Sequence, residues 1–537
     1  MASVLNTNNI EIKRLYLPLL LLLLVTSALF FPVLNHDFVN FDDELYIVND
    51  MAQKQLNLAN LKAILFEPYQ AAWYPLTRLS HALEFALFGG SATATHLVNV
   101  ILHFINAALL FLITLQLGRL AYPDENPPAS FVLPGIITSL LFLVHPQHVE
   151  AVAWAVQRKE LLATMFSLLS ITMYLRHQLL PAIIFALMAM LSKASSVVLP
   201  AFFVLLNIAL IKPDALNIKS LLEVVWANRW ILILALVMTV LTYINHEAEN
   251  TQFLEEHFSP LSRLMLYADN SLLGLANFVM LKPGLFHLPI NEYIVTANGI
   301  GFIVLVIMLI LLTIFCAVLF KGSRRARICA MGVLFYFTAL LPVGGLVVFG
   351  NYAFGDRYLY LSSIGLYVVV FIGLCEVMRK FSSTSAGRWL LVAPVILLIV
   401  AFSMSMRGLP KWSDSISLWS YDVIQRPDSV FANHQLGAQY FLANKYHEAV
   451  PYFVAAINSD SNHFRVWSRT ASSLYLAEIM CNDGQEQSAI QALERIPGFG
   501  GDIKDVEMLL GSLSYSGYDI CEQAISAWYS ENHANKP

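Results

Sequence analysis

Four acidic residues follow closely on an apolar run near the N-terminus: Asp37, Asp42, Asp43 and Glu44. The run covers residues 15–34 and begins just after Lys13 and Arg14. About 20 apolar residues are enough to cross a bilayer, and carboxylates placed beside hydrocarbon are costly. Since a carboxylate can take a proton from an attacking hydroxyl, the segment is a candidate for a general base at a membrane face. The alternative is the solvated beginning of a loop.

Cationic side chains recur at three later places that the predicted topology assigns to the same face: Arg158 with Lys159, Lys193, and Arg357. Three cationic places facing one acidic place is the arrangement needed to hold a phosphate beside a general base. Arg357 is the first choice for the phosphate, because a planar guanidinium binds two oxygens at once and stays charged. Arg158, Lys159 and Lys193 are the second choices.

Further polar side chains near these positions are predicted to position a substrate: His148, Glu150, Tyr358 and Arg78. His145, His148 and Glu150 are also of metal-ligand type, but their spacing is not specific for a metal. The acidic pair could bind a divalent ion, yet cationic side chains can neutralise a phosphate without one. The sequence therefore predicts no required cofactor and no metal site.

Four further polar residues are spaced so that they lie on the same side of one helix: His96, Asn99, His103 and Asn106. Hydrogen bonds between helices are the preferred interpretation, ahead of a ligand-binding role.

Composition restricts the class of protein. Of 537 residues, 57% are hydrophobic and only 13% are charged, and the mean hydropathy is +0.62. These values are typical of a polytopic membrane protein. The chain has no basic patch with interleaved aromatic residues, so nucleic acid is not expected as a partner.

About eleven apolar runs are predicted to be transmembrane helices: 15–34, 96–118, 131–147, 160–176, 180–192, 196–211, 229–245, 299–320, 328–349, 359–379 and 389–406. The first lacks a small-residue cleavage site and is predicted to be a retained anchor. Basic clusters such as residues 321–327 fall in loops on the side of the N-terminus, which places that side in the cytoplasm. The long loops 35–95 and 246–298 then lie outside, where we expect the protein to work.

The composition becomes polar after the last run. We expect a membrane domain over 1–409, a junction over 410–429 and a helical domain over 430–537. Residues 430–463 have the small and large positions of a tetratricopeptide repeat (TPR) of about 34 residues, a module whose arrays hold peptides or proteins. A looser unit and a third helix pair follow. Cys481 and Cys521 could form a disulfide if this domain is extracytoplasmic.

Several short motifs occur in one order along the chain: His36–Asp43, Tyr74–Thr77, His96–Asn106, His145–Val152, Lys159–Ala163, Gly355–Gly365 and Trp412–Gly437. Together they resemble the transmembrane and TPR-containing (TMTC) proteins of the GT-C glycosyltransferase superfamily. The resemblance implies an all-α GT-C membrane fold with an active site under the first outer loop. It also implies inverting transfer of a sugar from a polyprenyl-phosphate-linked donor to a Ser or Thr hydroxyl of a protein.

The resemblance extends to the acidic pair. Similarity to the Phe-Asp-Glu motif of related protein mannosyltransferases favours Asp42 as the base, with Asp43 supporting it or positioning the acceptor. The chain departs from the best-known members in its short TPR region and in Ala194, which follows Lys193 where an acidic residue is expected.

The sequence contains no N-x-S/T sequon, which favours a bacterial inner membrane with the TPR domain in the periplasm. Two other functions stay open at this point. One is transfer to a glycolipid, such as lipid A or a polysaccharide intermediate. The other is a protein without enzymatic activity, either a transporter or a membrane scaffold that presents its TPR region.

Overall fold

The computed structural model describes residues 13–70, 72–123, 129–245, 259–283, 300–347, 354–381, 392–459 and 466–495. In these ranges the regular elements are helices, with one isolated antiparallel bridge between Tyr69 and Ala72. The predicted all-α fold is therefore confirmed. The chain divides into two compact units, Met1–Trp412 and Ser413–Pro537.

The helices of the first unit are α1 (Lys13–Phe30), α2 (Leu58–Phe66), α3 (Pro75–Phe88), α4 (Ala92–Ala121), α5 (Ala129–Val144), α6 (Val149–Ala153), α7 (Arg158–Leu175), α8 (Leu179–Ser192), α9 (Leu199–Leu210), α10 (Ile218–Ala227), α11 (Arg229–Asn245), α12 (Pro260–Met280), α13 (Ile300–Lys321), α14 (Arg324–Leu340), α15 (Leu359–Ser362), α16 (Ile364–Phe381) and α17 (Val392–Gly408). Single turns connect several of them near the proposed site: Glu44–Val48, Ala155–Gln157, Ala194–Val198 and Asp356–Tyr358.

Four stretches of the described chain are helical, long and apolar enough to cross a membrane: Leu15–Asn35, Ala92–Ala121, Gly301–Lys321 and Val392–Trp412. The number rises to 7 if each bent helix pair is one span. These stretches support a polytopic membrane protein. The prediction of about eleven crossings also counted shorter runs, such as the one that forms α8, which is too short to cross alone.

Helix boundaries follow local chemistry around the site. Helix α3 begins with Pro75, which lacks the backbone N–H that a first helical turn leaves unpaired. It ends at Gly89, whose φ of 68° is left-handed and favours glycine. Helix α4 begins after Ser91, whose side chain accepts a hydrogen bond from the Ala94 N–H.

The polar residues of α4 join it to its neighbours, as the sequence predicts. Asn99 Nδ2 donates to the Ala155 carbonyl oxygen at 3.2 Å, and Asn106 Nδ2 donates to the Leu161 carbonyl oxygen at 3.0 Å. His103 Nδ1 lies 2.6 Å from the Tyr360 hydroxyl. For these three residues the interpretation as hydrogen bonds between helices is confirmed.

Helix α12 occupies the middle of the segment that the sequence assigns to a long outer loop, 246–298. Asp269 and Asn270 interrupt its apolar pattern and lower its hydropathy, which is why the sequence did not suggest a helix there. The helix nevertheless packs into the unit: the Tyr336 hydroxyl donates to the Ser271 carbonyl oxygen at 2.7 Å. A Cβ atom at Gly274 would lie 2.8 Å from Leu359, so this close packing requires glycine. Residues 246–258 and 284–299 lie outside the described residues.

The second unit contains α18 (Ser415–Gln425), α19 (Val430–Leu442), α20 (Tyr446–Asn458), α21 (Val466–Asn482) and α22 (Glu486–Leu493). Helices α19 to α22 share an apolar core that includes Ala449, Phe453, Leu474 and Ala489. These are positions that the repeat pattern predicts to be packed. Cys481 is disulfide-bonded, whereas Cys521 and the third predicted helix pair lie outside the described residues.

Candidate active site

The acidic pair lies between α1 and the turn Glu44–Val48, and its two members have different surroundings. Asp43 is only 1% exposed. Its carboxylate accepts hydrogen bonds from the backbone N–H groups of Val39 at 3.0 Å and Val156 at 2.9 Å. Asp42 is half-buried and has a φ of 67°. Left-handed backbone is uncommon for a residue other than glycine, and aspartate tolerates it better than most.

Burial changes the acid–base behaviour of Asp43. Desolvation raises the pKa of its carboxyl from 3.8 to about 8, against the lowering effect of the two backbone hydrogen bonds. The nearby charge of Asp42 raises the pKa further. Asp43 therefore keeps its proton to a higher pH than an exposed aspartate. Its two hydrogen bonds join two parts of the chain.

Trp154 fixes the residue that precedes the pair. Its indole Nε1 donates to the Phe41 carbonyl oxygen at 2.9 Å, and the two rings stack with centroids 4.9 Å apart. Trp154 also stacks on Trp412, with ring centroids 5.3 Å apart. The guanidinium carbon of Arg357 lies over the Trp154 ring, 5.2 Å from its centroid. One buried indole therefore joins the acidic segment to the segment of Arg357.

Arg357 is held by a carboxylate from α6. Its Nη1 lies 2.6 Å from Glu150 Oε1, and the backbone N–H of Asp356 donates to Glu150 Oε2 at 3.2 Å. Its Nη2 donates to the Tyr358 hydroxyl at 3.1 Å. Glu150 and Tyr358, both predicted to position a substrate, thus position Arg357. Arg357 also interacts electrostatically with Asp42.

Lys159 lies at the start of α7 between two tyrosine rings. Its Nζ is 5.4 Å from the ring centroid of Tyr46 and 5.5 Å from that of Tyr74. The negative charge of Asp42 favours the charged form of this ammonium group. Within the described ranges Lys159 forms no ion pair, which distinguishes it from the other candidate cations.

The two remaining candidate cations have buried carboxylate partners. Arg158 is fully buried, and its Nη2 lies 2.6 Å from Glu84 Oε2. Lys193 pairs with Glu160 and lies 5.5 Å from the Tyr358 ring centroid. The Arg158–Glu84 pair connects α3 with α7. The Lys193–Glu160 pair contacts Arg357 through Tyr358.

Arg78 and His148 lie behind the acidic segment. Arg78 forms a two-pronged ion pair with Asp50, at 2.8 and 3.2 Å, which ties α3 to the start of the turn Met51–Gln53. His148 is fully buried, and its Nδ1 lies 2.7 Å from the Phe142 carbonyl oxygen. His148 Nε2 lies 3.2 Å from Ser363 Oγ, so in the structure both residues contact other parts of the first unit.

Sequence reasoning missed the residues that hold these side chains: Trp154, Glu84, Glu160, Asp50, Tyr46 and Tyr74. Tyr74 and Glu160 lie within two of the quoted motifs, and Trp154 lies two residues after a third, but none of them was given a role in the site. A buried cation needs a buried anion, so acidic residues within apolar surroundings were the available signal for the three carboxylates. Among the described residues, no group of three or more His, Cys, Asp or Glu side chains could hold a metal ion.

Known proteins similar to this chain are protein O-mannosyl-transferases. One from Drosophila melanogaster is 30% identical over 185 residues, which are 32% of this chain and 20% of the relative. One from Caenorhabditis elegans is 22% identical over 444 residues, 78% of this chain and 59% of the relative. Human TMTC4 is 31% identical over 153 residues, 26% of this chain and 20% of the relative.

These matches confirm the resemblance to TMTC proteins. The chain covers about a fifth of the length of two of these relatives and 59% of the third. No family model matches the chain, and no solved structure matches it.

Proposed function

We propose that this chain is an integral membrane glycosyltransferase that moves a sugar from a polyprenyl-phosphate-linked donor to Ser or Thr hydroxyls of a protein, with inversion, on the outer face of the membrane. The observation that carries the proposal is the surroundings of Asp42. Its half-buried carboxylate lies within the electrostatic range of Lys159 and Arg357. The similarity to protein O-mannosyl-transferases supports the same reaction class.

Asp42 is the general base of the proposed reaction. In the described part of the chain its carboxylate accepts no hydrogen bond, so it is available to an incoming hydroxyl. Asp43 does not compete for this role, because both its oxygens accept backbone N–H groups. Its place is structural: it holds the loop that presents Asp42.

The transfer is a single displacement. The hydroxyl oxygen attacks the anomeric carbon on the face opposite the phosphate, and Asp42 takes the hydroxyl proton. The bond between the anomeric carbon and the phosphate oxygen breaks, and the lipid phosphate leaves with the bonding electrons. A positive charge beside the leaving oxygen lowers the barrier, and we assign this role to Lys159 and Arg357.

The four candidate cations differ in their availability to a phosphate. Lys159 has two tyrosine rings but no carboxylate against it, so an anion meets no competing partner there. Arg357 already bonds Glu150, yet its guanidinium has further N–H groups and is held in place. Arg158 is enclosed with Glu84, and Lys193 is paired with Glu160. We therefore propose that these two support the site without touching the donor.

The second unit is proposed to hold the protein acceptor as a TPR-like module. Its consecutive helices pack small residues against large ones, as at Gly437 and Phe453. The disulfide at Cys481 supports an extracytoplasmic location. Basic clusters between the predicted spans favour a cytoplasmic N-terminus. A bacterial inner membrane with a periplasmic second unit fits these features.

The test is intact-mass analysis of envelope proteins from cells with and without the gene. A hexose- or pentose-sized mass difference identifies the reaction and its acceptor. The gene is then replaced by Asp42→Asn, with Glu44→Gln as the matched control, since Glu44 is an exposed neighbouring carboxylate. We expect the first variant to lose the modification and the second to keep it. Normal modification by a well-inserted Asp42→Asn protein would reject Asp42 as the base.

A further inference from the structure

A narrow cavity lies beside Lys159, at the start of α7. Six of its lining residues are Tyr46, Gln53, Tyr69, Tyr74, His81 and Lys159. Its volume is about 20 Å³, which suits one or two water molecules or a group of that size. Asp42 does not line the cavity, but three of the lining residues, Tyr46, Tyr74 and Lys159, interact electrostatically with it.

Two polar side chains in this cavity have buried atoms without a hydrogen-bond partner. His81 is 4% exposed, and neither of its ring nitrogens has a hydrogen-bond partner. Gln53 is 3% exposed; its Nε2 donates to Asp50 Oδ2 at 2.7 Å and to the Tyr46 carbonyl oxygen at 3.0 Å, but its Oε1 accepts nothing. A buried polar atom left unpaired is unfavourable, because it has lost its hydrogen bonds to water. A ligand that pairs these atoms recovers that cost.

The unpaired atoms match a hydroxyl group. Burial lowers the pKa of His81 well below its ordinary value, so its ring is neutral and has one donor and one acceptor nitrogen. A hydroxyl can donate to Gln53 Oε1 while it accepts from the donor nitrogen of His81. Lys159 also lines the cavity and offers further hydrogen-bond donors. The tyrosine rings offer apolar faces to the carbon that carries the hydroxyl.

We propose that this cavity takes the exocyclic hydroxymethyl group of the donor sugar, so that His81 and Gln53 select hexoses over pentoses. The inference rests on the proposed function. The position of the cavity fits this role. A sugar in transfer must lie between the base and the phosphate-binding cation, and Lys159, the proposed cation, also lines the cavity. The narrow cavity admits a one-carbon arm but not a peptide main chain. A mannose-type sugar carries this arm, whereas the pentose of the same configuration, lyxose, lacks it.

The test measures donor binding by the full-length protein in lipid nanodiscs. Four short-chain polyprenyl phosphates carry mannose, lyxose, glucose or xylose, and unglycosylated polyprenyl phosphate is the reference. We expect each hexosyl lipid to bind at least about 10-fold more tightly than its matched pentosyl lipid, the range found when a site loses one small group. His81→Phe should weaken the hexosyl lipids and reduce the ratio to below about threefold. The thermal unfolding transition of the variant shows whether it is folded.

The outcomes separate two failures. If no glycosylated lipid binds more tightly than polyprenyl phosphate itself, the proposed function is wrong. If the glycosylated lipids do bind, but hexosyl and pentosyl forms bind equally or His81→Phe preserves their ratio, the cavity holds only water and the hydroxymethyl inference is overturned. If His81→Phe weakens all four lipids alike, its role is general to the fold, and the selection of hexoses by His81 is likewise rejected.

Discussion

The backbone N–H of Val156 donates a hydrogen bond to Asp43 Oδ1 at 2.9 Å. The two residues are 113 positions apart in the chain, so this contact joins the first outer loop to the turn before α7. Trp154 makes a second link across the same boundary, to the Phe41 carbonyl oxygen. Asp42 lies between the two linked residues, Phe41 and Asp43. Its left-handed backbone is therefore fixed on both sides, as the persistence of a strained conformation requires.

The first prediction concerns pH and Asp43. Its folded-state pKa is raised from 3.8 to about 8, so between these values the folded protein holds a proton that the unfolded chain has released. Stability from this group is therefore fully present below about pH 4 and is lost as pH rises through 8. We expect the melting temperature in detergent to fall between pH 6 and pH 9.

Asp43→Asn provides the comparison for that pH effect. An amide does not titrate, so this component of the fall should disappear. The variant should also be less stable at pH 6, by about 1–3 kcal/mol, because its NH₂ group meets one of the two backbone N–H donors. A pH dependence identical in wild type and Asp43→Asn would show that Asp43 does not titrate in this range.

The second prediction concerns Trp154. Trp154→Phe retains an aromatic ring against Phe41 but removes the indole N–H, whereas Trp154→Leu removes both the ring contact and the hydrogen bond. Because an aromatic pair contributes roughly 0.5–1.5 kcal/mol beyond its burial, we expect transfer to decrease from wild type to Phe to Leu. Initial rates at saturating donor measure the order. Equal rates for all three proteins would mean that Trp154 does not position the base.

The sequence predicted the helices of the first unit better than it predicted which side chains of the site contact one another. Apolar runs with few charges predict helices, and the acidic segment after α1 was noticed because carboxylates there are costly. The different surroundings of Asp42 and Asp43 could not be predicted. They depend on backbone N–H groups of Val39 and Val156, and the backbone hydrogen bond from Val156 is independent of its side-chain type.

The cations illustrate the same limit. The sequence ranked Arg357 first for its planar guanidinium and did not separate Arg158, Lys159 and Lys193. The structure differentiates the cations through Glu84, Glu160 and Glu150. Which carboxylate meets which cation depends on helix packing over long sequence separations. Helix α12 was missed for a different reason. Its polar residues lower its hydropathy, although Asn270 makes a hydrogen bond to the Gly344 carbonyl oxygen inside the unit.

The third prediction separates two lysines. Lys159→Gln removes a charge that has no carboxylate partner in the described chain, so it should fold normally and raise the donor KM by roughly 10-fold or more. Lys193→Gln leaves Glu160 buried and unpaired, which costs about 3–5 kcal/mol. We expect this variant to melt at lower temperature with little change in donor KM. Thermal unfolding and donor titration of both variants check the contrast, and the reverse result would exchange their roles.

The fourth prediction concerns the packing of the second unit. A Cβ atom at Gly437 would lie 2.7 Å from the Phe453 ring, closer than packed atoms approach. Gly437→Ala should therefore separate α19 from α20, in spite of alanine's higher helix propensity. Gly373 in α16 is the matched control, because a Cβ atom there meets nothing within 4 Å. We expect Gly437→Ala to expose the second unit to limited proteolysis and to reduce modification of the protein acceptor, while donor binding stays normal. Adding Phe453→Leu should restore protease resistance in part. Unchanged modification by a Gly437→Ala protein whose second unit is cleaved rapidly would show that this unit does not hold the acceptor.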